Sequence, residues 1–197
     1  MIHLPPAAAS VLRELESFGA TNDATESRRE RKMLNLDWPA AEVLHLAVRQ
    51  SHRRRILEIG TSNGFSAIWL AAALPADGSG SLISVDRDPD KLAAAARNLD
   101  RAGLRDRVTL MEGDASRVVA GLDGPFDCVF FDADRVSAPD QLARLLPKLT
   151  PDASLFADNV LSHPGEIEGY LAAVEESGLF DSVVLPVGKG LAIAVRR

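Results

Sequence analysis

Short apolar runs alternate with helical patterns from residue 54 to the end of the chain, and no other feature constrains the fold as much. The strand-like runs cover 55–60, 81–86, 107–112, 127–132, 153–158, 182–186 and 191–196. Continuous apolar strands separated by helices of 8–15 residues are typical of a parallel sheet covered on both faces. The last two runs are joined only by VGKG, which is too short for a crossover helix and predicts a hairpin. The sequence therefore predicts an α/β fold with a seven-stranded, mostly parallel sheet and an antiparallel final strand.

Residues 1–53 carry helical rather than strand patterns. We expect one domain over 1–197, made of this N-terminal helical part and an α/β core over 54–197. The segment VLRELESFG predicts a helix that stops at Gly19, and a second helix is expected over 37–52, starting with Asp37 at the cap position and Pro39 in the first turn. These helices pack over the sheet, form a lid or make a dimer contact, and the sequence does not choose among the three.

Charge and composition exclude several classes of partner. The net charge is −6, and the basic clusters at 27–32 and 52–55 are short, so we expect them to be solvated surface rather than nucleic-acid contacts. No apolar run approaches the ~20 residues that span a bilayer, and the N-terminus lacks the pattern of a secretory signal. The single cysteine, Cys128, lies in an apolar run, which favours a core residue and a reducing cytoplasm. Together these features predict a cytoplasmic protein with a small-molecule partner.

The segment LEIGTSNGFS at 57–66 leads from a strand through a glycine turn into a helix. Gly60 and Gly64 would let the backbone pass close to a ligand, although a plain tight turn is an equally good interpretation. Because Ser62 replaces the middle glycine, the dinucleotide fingerprint G-x-G-x-x-G is not met. Glu58, two residues before the first glycine, suits a ligand with a positively charged amino group better than a pyrophosphate.

Two aspartates follow the next strands. Asp86 closes the second strand, where a carboxylate can accept hydrogen bonds from two ribose hydroxyls. It can also cap the following helix, but Asp88 already suits that role just before a proline. Asp114 in GDAS either reaches an adenine edge or caps its own helix. The missing fingerprint, the acidic strand end and the ribose-type aspartate together favour S-adenosylmethionine over NAD.

A third set of polar residues follows the fourth and fifth strands. Asp132 ends one strand, and Asp158 and Asn159 end the next. If the two strands are neighbours in the sheet, two carboxylates and an amide oxygen converge, which is a donor set that suits Mg²⁺. The alternative is local, with an Asx-type turn at the second site and a backbone N–H bound to Asp132.

In order and spacing, five segments resemble the cation-dependent O-methyltransferases of the catechol and caffeoyl-CoA type: LEIGTSNGFSAIWLA, SVDRDPDKLAAAARNL, RVTLMEGDA, FDCVFFDADR and LFADNV. The resemblance covers roughly 30–197 and implies a Rossmann-like methyltransferase fold, a homodimer, S-adenosylmethionine as cofactor and a divalent cation such as Mg²⁺. The cofactor contacts it implies are Glu58, Gly60, Thr61, Ser62, Gly64, Ser66, Asp86, Arg87, Gly113, Asp114, Ala115, Ser116 and Asp132.

The resemblance also implies a mechanism. The metal ligands would be Asp132, Asp158 and Asn159, with Asp132 counted among the catalytic residues. In the family, adjacent oxygens of the substrate chelate the metal, which acidifies one hydroxyl and orients it toward the sulfonium methyl. The expected function is therefore divalent-cation-assisted methyl transfer to a hydroxyl of a small catechol-like or vicinal-oxygen substrate.

The chain departs from the family pattern at two points. The family usually reads D-A-D-K, with the lysine as the base, whereas this chain has Arg135, whose guanidinium does not deprotonate in proteins. Arg135 could instead pair with a phenolate or a substrate carboxylate, and His163 is either a substitute base or a surface-loop residue. The chain also passes directly from ADNV toward a helix, without a longer substrate loop, which indicates an open site.

Two other functions remain possible at this stage. One is a cofactor-binding protein whose turnover was lost with the lysine. The other is an NAD-dependent oxidoreductase, which is disfavoured by Ser62 and by the lack of an obvious Tyr–Lys pair, because Tyr170 is the only tyrosine.

Overall fold

The structure, a computed structural model that describes residues 2–197, contains one seven-stranded sheet. Its strands, in chain order, are β1 (Arg55–Ile59), β2 (Ser81–Asp86), β3 (Val108–Glu112), β4 (Phe126–Phe131), β5 (Leu149–Asp158), β6 (Phe180–Leu185) and β7 (Leu191–Arg196). The spatial order is β3-β2-β1-β4-β5-β7-β6, and β7 runs antiparallel to both of its neighbours. The predicted fold class, including the antiparallel final strand and the hairpin, is confirmed.

Among residues 2–197, seven α-helices cover the two faces of this sheet. They are α1 (Pro6–Thr25), α2 (Trp38–Gln50), α3 (Phe65–Ala73), α4 (Pro89–Ala102), α5 (Ala115–Gly121), α6 (Ala138–Leu145) and α7 (Pro164–Glu176). Apolar residues of α1 to α4 form one core with one face of the sheet, and those of α5 to α7 form a second core with the opposite face. The N-terminal helices therefore pack over the sheet through α3 and α4, which was the first of the three arrangements left open by the sequence.

The central strands are apolar on both faces because each face is covered. In β4, Cys128 and Phe130 point into the first core, whereas Val129 and Phe131 point into the second. Each of these residues is almost fully buried, which explains why the strand reads as a continuous apolar run rather than an alternating one. Cys128 is a buried free thiol, as predicted.

One helix boundary was predicted wrongly. Gly19 does not end the first helix, which continues to Thr25. A side chain at Gly19 would approach Nδ2 of Asn35 to 2.5 Å, and this same amide donates a hydrogen bond to the carbonyl of Leu15 at 2.9 Å. The glycine therefore serves the close approach of a later segment, and the sequence pattern alone could not separate this role from a helix stop.

The basic clusters are mostly at the surface, with one exception. Arg53 was expected to be solvated, but it is only 6% exposed, and its guanidinium donates to Asp152 at 2.8 Å and to Ser154 at 2.9 Å. It therefore ties the end of α2 to β5. Among residues 2–197, no helix is long and apolar enough to cross a membrane.

Candidate active site

The predicted site residues meet at the carboxyl edge of the parallel strands, around the point where β1 lies between β2 and β4. From β1 the chain builds the sheet outward through β2 and β3 on one side, and it then returns to place β4 and β5 on the other side. Ligands of α/β sheets bind at such a switch point in the strand order. The glycine turn follows β1, Asp86 ends β2, and Asp132 follows β4. Asp158 ends β5, the next strand along, so the assumption that β4 and β5 are neighbours is confirmed.

The turn after β1 needs both of its glycines. Gly60 has φ +106° and lies so close to β4 that a side chain there would collide with the carbonyl of Asp132. Gly64 has φ +86°, and a Cβ would lie 3.1 Å from Ala95 of α4. Its N–H donates to the carbonyl of Thr61 at 2.9 Å, which closes the turn. Both glycines are thus needed for the close approach of the turn to β4 and α4.

Asp88 takes the helix-cap role predicted for it. Asp88 caps α4 by accepting hydrogen bonds from the backbone N–H groups of Asp90 and Lys91, at 2.9 Å and 3.3 Å. The carboxylate of Asp86 accepts two other backbone N–H groups, that of Ser62 at 2.8 Å and that of Asp88 at 3.0 Å. It therefore fixes the glycine turn and the approach to α4, and contact with a ribose stays a prediction.

Glu58 is fully buried beneath the glycine turn. One of its carboxylate oxygens accepts a short hydrogen bond from Ser84, whose hydroxyl also lies 2.6 Å from that of Thr61. Oε1 has no hydrogen-bond partner among residues 2–197. Burial raises the pKa of Glu58 to about 7, although hydrogen bonds from Ser66 and Ser84 oppose this rise. A buried carboxylate with a free oxygen is suited to a cationic ligand group.

The predicted adenine contacts surround the N-terminus of α5. Asp114 caps this helix, since its carboxylate accepts the N–H of Arg117 at 3.1 Å. Ser116 accepts a hydrogen bond from the buried Gln141 at 3.3 Å. The local cap role of Asp114 is therefore observed, whereas contact with adenine by Gly113, Asp114, Ala115 or Ser116 stays a prediction. The same holds for Arg87, which is exposed beyond β2.

The predicted metal ligands lie together. Nδ2 of Asn159 is 2.7 Å from Oδ2 of Asp158 and 3.4 Å from Oδ1 of Asp132. Oδ1 of Asp158 is buried and has no hydrogen-bond partner among the described residues. Withdrawal from water raises the pKa of Asp158 to about 6, and it raises the pKa of Asp132 well above its ordinary value, with the negative charge of Asp158 adding to the rise at Asp132. Two mutually repelling carboxylates with a free buried oxygen are a donor set that a cation would stabilise.

Arg135 is already paired. Its Nη1 donates to Oε2 of Glu166, in the first turn of α7, at 2.8 Å, and its side chain is only 11% exposed. His163 lies just before the same helix, and its Nδ1 is 2.9 Å from the hydroxyl of Ser162. The pairing with Glu166 was not predicted, because 31 residues separate the two side chains along the chain.

A second feature missed by the sequence reasoning is the segment that follows α1. The hydroxyl of Ser62 donates to the carbonyl of Met33 at 2.8 Å, and the ammonium of Lys91 donates to that of Lys32 at 3.0 Å. This segment therefore lies against the glycine turn. The motif KMLN carries no recognisable ligand signature, so only the fold reveals the contact.

Comparison with known proteins agrees with this geometry. Residues 57–160, just over half of the chain, match the family model described as a methyltransferase domain. The chain belongs to the methyltransferase family. The matched segment runs from β1 through the glycine turn to the residue after Asn159, so it contains every predicted site residue except His163.

The relatives are consistent with the predicted resemblance. A catechol O-methyltransferase from Niastella koreensis is 35% identical over 70% of this chain, which spans 64% of that relative's length. An O-methyltransferase from Bacillus cereus in complex with SAH has a TM-score of 0.81 at 25% identity and covers 95% of this chain and 91% of its own. The O-methyltransferase TomG from Streptomyces achromogenes in complex with SAM has a TM-score of 0.80 at 27% identity and covers 100% of this chain and 92% of its own. The predicted resemblance to O-methyltransferases is confirmed, and the alternative of an NAD-dependent oxidoreductase loses its support.

Proposed function

We propose that this protein is an S-adenosylmethionine-dependent O-methyltransferase that acts, with the help of a divalent cation, on a small catechol-like or other vicinal-oxygen substrate. The observation that carries the proposal is the convergence of the glycine turn and the carboxylate pair at one edge of the sheet, with Gly60 in contact with the backbone of Asp132. The names of the relatives and the SAM and SAH in two solved structures support the same activity.

The cofactor would lie along the glycine turn. Gly60 and Gly64 carry no side chain that would keep a ligand from the backbone, and Glu58 below the turn offers a buried oxygen to the amino group of the methionine part. Asp86, held at the end of β2 by the N–H of Ser62, would accept from the ribose hydroxyls. Gly113 to Ser116 would border the adenine, on the side of β3.

Asp132, Asp158 and Asn159 would hold the cation. The amide nitrogen of Asn159 faces both carboxylates, at 2.7 Å from Oδ2 of Asp158 and 3.4 Å from Oδ1 of Asp132, so a rotation of this amide would present its oxygen as the third protein ligand. Bound Mg²⁺ would supply Lewis-acid acidification of a chelating hydroxyl. The chain's part is to orient that hydroxyl: β4 and β5 set the separation of the two carboxylates, since Phe131 and Ala157 are register partners one residue before them.

Arg135 would contribute positive charge rather than accept a proton. Its guanidinium stays protonated, and Glu166 fixes its direction, so it can stabilise a nearby oxyanion only electrostatically. His163 is the remaining candidate for a proton acceptor among the predicted catalytic residues. Its Nε2 is free to act if Nδ1 is engaged by Ser162 at 2.9 Å.

Calorimetry and a methyl-transfer assay test the proposal. We expect binding of S-adenosylmethionine and none of NAD, and Mg²⁺-dependent methylation of a panel of catechols that EDTA abolishes. Asp132→Ala and Asp158→Ala should each lower kcat/KM by at least ~100-fold, because both carboxylates orient the reacting oxygen. Full activity in EDTA would refute the cation's role, and binding of NAD without S-adenosylmethionine would refute the proposal as a whole.

A cofactor-binding protein without turnover is the second candidate, and Arg135 in place of the usual lysine favours it. The same assay separates the two. Tight binding of S-adenosylmethionine, with no product from any vicinal-oxygen substrate in the presence of Mg²⁺, would support the second candidate over the first.

We also propose that the protein is a cytoplasmic homodimer. The buried free thiol of Cys128 is consistent with a reducing compartment. Strand β6 is an edge strand with unpaired backbone groups and two exposed apolar side chains, Val183 and Val184, which supports pairing with a second copy of the chain. Analytical ultracentrifugation measures the oligomeric state directly, and a monomer across the micromolar range would contradict this part of the proposal.

A further inference from the structure

The turn between β6 and β7 lies beside the candidate metal ligands. Asp158 pairs with Leu191 in the antiparallel ladder. The pairing continues beyond the strand ends, since Leu161 and Ser162 both donate their N–H groups to the carbonyl of Lys189, at 3.0 Å and 3.2 Å. The backbone of Lys189 is thereby fixed at the same edge of the sheet as the carboxylate pair, on the side away from β4.

Lys189 brings a positive charge to this edge that is only loosely paired. Its ammonium lies 3.8 Å from Asp37, which is too long for a hydrogen bond, and its side chain is 43% exposed. Arg135, in the loop after β4, is close-paired with Glu166 and largely buried. Lys189, in the turn before β7, lies on the other side of β5, so the two cations flank the strand that ends at Asp158.

Exposed apolar side chains lie in the loops that follow β4 and β5. Val136, next to Arg135, is 72% exposed, and Leu161, which contacts the turn at Gly190, is 54% exposed. Exposed aliphatic side chains on both loops that carry the candidate metal ligands suit a substrate with an apolar body, such as an aromatic ring. The ammonium of Lys189 then stands at the edge of a surface that would face such a ring.

We propose that Lys189 determines specificity by selecting substrates that carry a negative charge beside the vicinal oxygens, for example a catechol with a carboxylate on its ring. The inference rests on the function proposed above for the same site. An exposed ammonium with one long contact can turn to a second anion without losing a strong partner. Arg135 cannot do so without leaving Glu166.

Asp37 would compete with an anionic substrate for the ammonium of Lys189. The Asp37 carboxylate is the anion that Lys189 faces when no substrate is present. Replacing it with asparagine removes that competitor and leaves the shape of the side chain almost unchanged. Asp37→Asn should therefore strengthen binding of an anionic substrate, whereas Lys189→Met should weaken it.

The test is calorimetric titration of two ligands, 3,4-dihydroxybenzoate and unsubstituted catechol, into the protein with Mg²⁺ and S-adenosylhomocysteine. We expect the wild type to bind the carboxylated catechol about tenfold more tightly than the neutral one. Lys189→Met should abolish this preference and change the affinity for the neutral catechol less than twofold. Arg144→Met, which removes an exposed cation paired with Asp140 on α6, is the matched control and should keep the preference.

The outcomes separate the two proposals. A wild-type protein that binds both catechols equally, or a Lys189→Met variant that keeps the preference, would overturn the inference and leave the proposed function standing. Failure of both catechols to bind while S-adenosylhomocysteine is bound would instead overturn the proposed substrate class, and the inference with it. Circular dichroism of each variant confirms that the fold is intact.

Discussion

Glu58 shows how one buried residue can link cofactor binding to stability. Its carboxyl group is fully buried, with one free oxygen and two hydroxyl donors nearby, and burial raises its pKa to about 7. An ordinary unfolded-state glutamate has a pKa of about 4.3. Between these two values the folded protein binds a proton that the unfolded chain has released, so folding is disfavoured progressively as the pH rises.

We therefore expect Glu58→Gln to stabilise the ligand-free protein at high pH. The wild type should lose up to about 3 kcal/mol relative to the variant between pH ~4.5 and ~7, with no further change above that range. Urea unfolding of both proteins at several pH values measures the difference. A constant difference from pH 5 to 8 would contradict the raised pKa, and Glu16→Gln on the exposed face of α1 is the matched control.

Arg135 is a residue whose neighbour decides what a substitution can do. Glu166 lies 2.8 Å from its guanidinium and would remain in place if the residue were changed. A lysine introduced at this position would pair with the same carboxylate and stay protonated. Restoring the family's usual lysine is then not enough to restore a base.

The prediction concerns methyl transfer to a neutral catechol with Mg²⁺ present. Arg135→Lys alone should change kcat by less than about threefold, whereas Arg135→Lys combined with Glu166→Gln should raise it at least ~10-fold, because an unpaired lysine can lose its proton. Glu166→Gln alone separates the effect of the lost pair. A large gain in the single Arg135→Lys variant would show that Glu166 does not control the site.

At the scale of elements, hydrogen bonds from two sides hold the segment between α1 and α2 against the glycine turn. Asp23, near the end of α1, accepts the N–H groups of Met33 and Leu34 at 2.7 Å and 2.8 Å. From the other side, Ser62 of the turn donates to the carbonyl of Met33 at 2.8 Å. The helical part thus reaches the site through a short stretch of backbone rather than through a helix face.

Asp23→Ala should release this segment. We expect the affinity for S-adenosylmethionine to fall about tenfold while the global stability falls by about 1–2 kcal/mol, because two hydrogen bonds to a charged acceptor are lost. Calorimetry gives the affinity, and limited proteolysis should show faster cleavage within 28–35. Unchanged affinity despite faster cleavage would mean that the segment does not contribute to the cofactor site.

At the scale of the whole molecule, the sheet is protected unevenly. Strands β1 and β4 lie at its centre and are covered by helices on both faces, whereas β6 pairs only with β7 and is largely exposed. Local opening of an edge strand breaks fewer contacts than opening of a central one. A partner chain bound at β6 would therefore slow local opening of the edge strand without changing that of the central strands.

Amide hydrogen exchange should reflect this difference. In dilute protein, we expect β6 to exchange much faster than β1 and β4, which should open only with global unfolding. If a second copy pairs with β6, its exchange should slow as protein concentration rises, while β1 and β4 stay unchanged. Exchange in β6 that is independent of concentration would argue against pairing at this edge.

Much of the fold was predictable because it depends on local patterns. Continuous apolar runs identified all seven strands, and the four-residue VGKG connection forced the hairpin. The site could be predicted in outline for a related reason: in a parallel sheet, residues that end neighbouring strands must meet, so Asp132 and Asp158 converge whatever the helices do. The helix end at Gly19 was predicted wrongly because the sequence does not distinguish a glycine that ends a helix from one that permits a close contact.

The sequence by itself determined the sheet, the glycine turn and the carboxylate pair, since each follows from strand ends and short-range geometry. Only the tertiary structure decided what surrounds them. It placed Glu166 against Arg135, residues 32–34 against the glycine turn, and Lys189 beside the candidate metal ligands. These contacts join positions about 30 residues apart along the chain, and in such cases the path of the folded backbone, rather than any local pattern, sets which side chains meet.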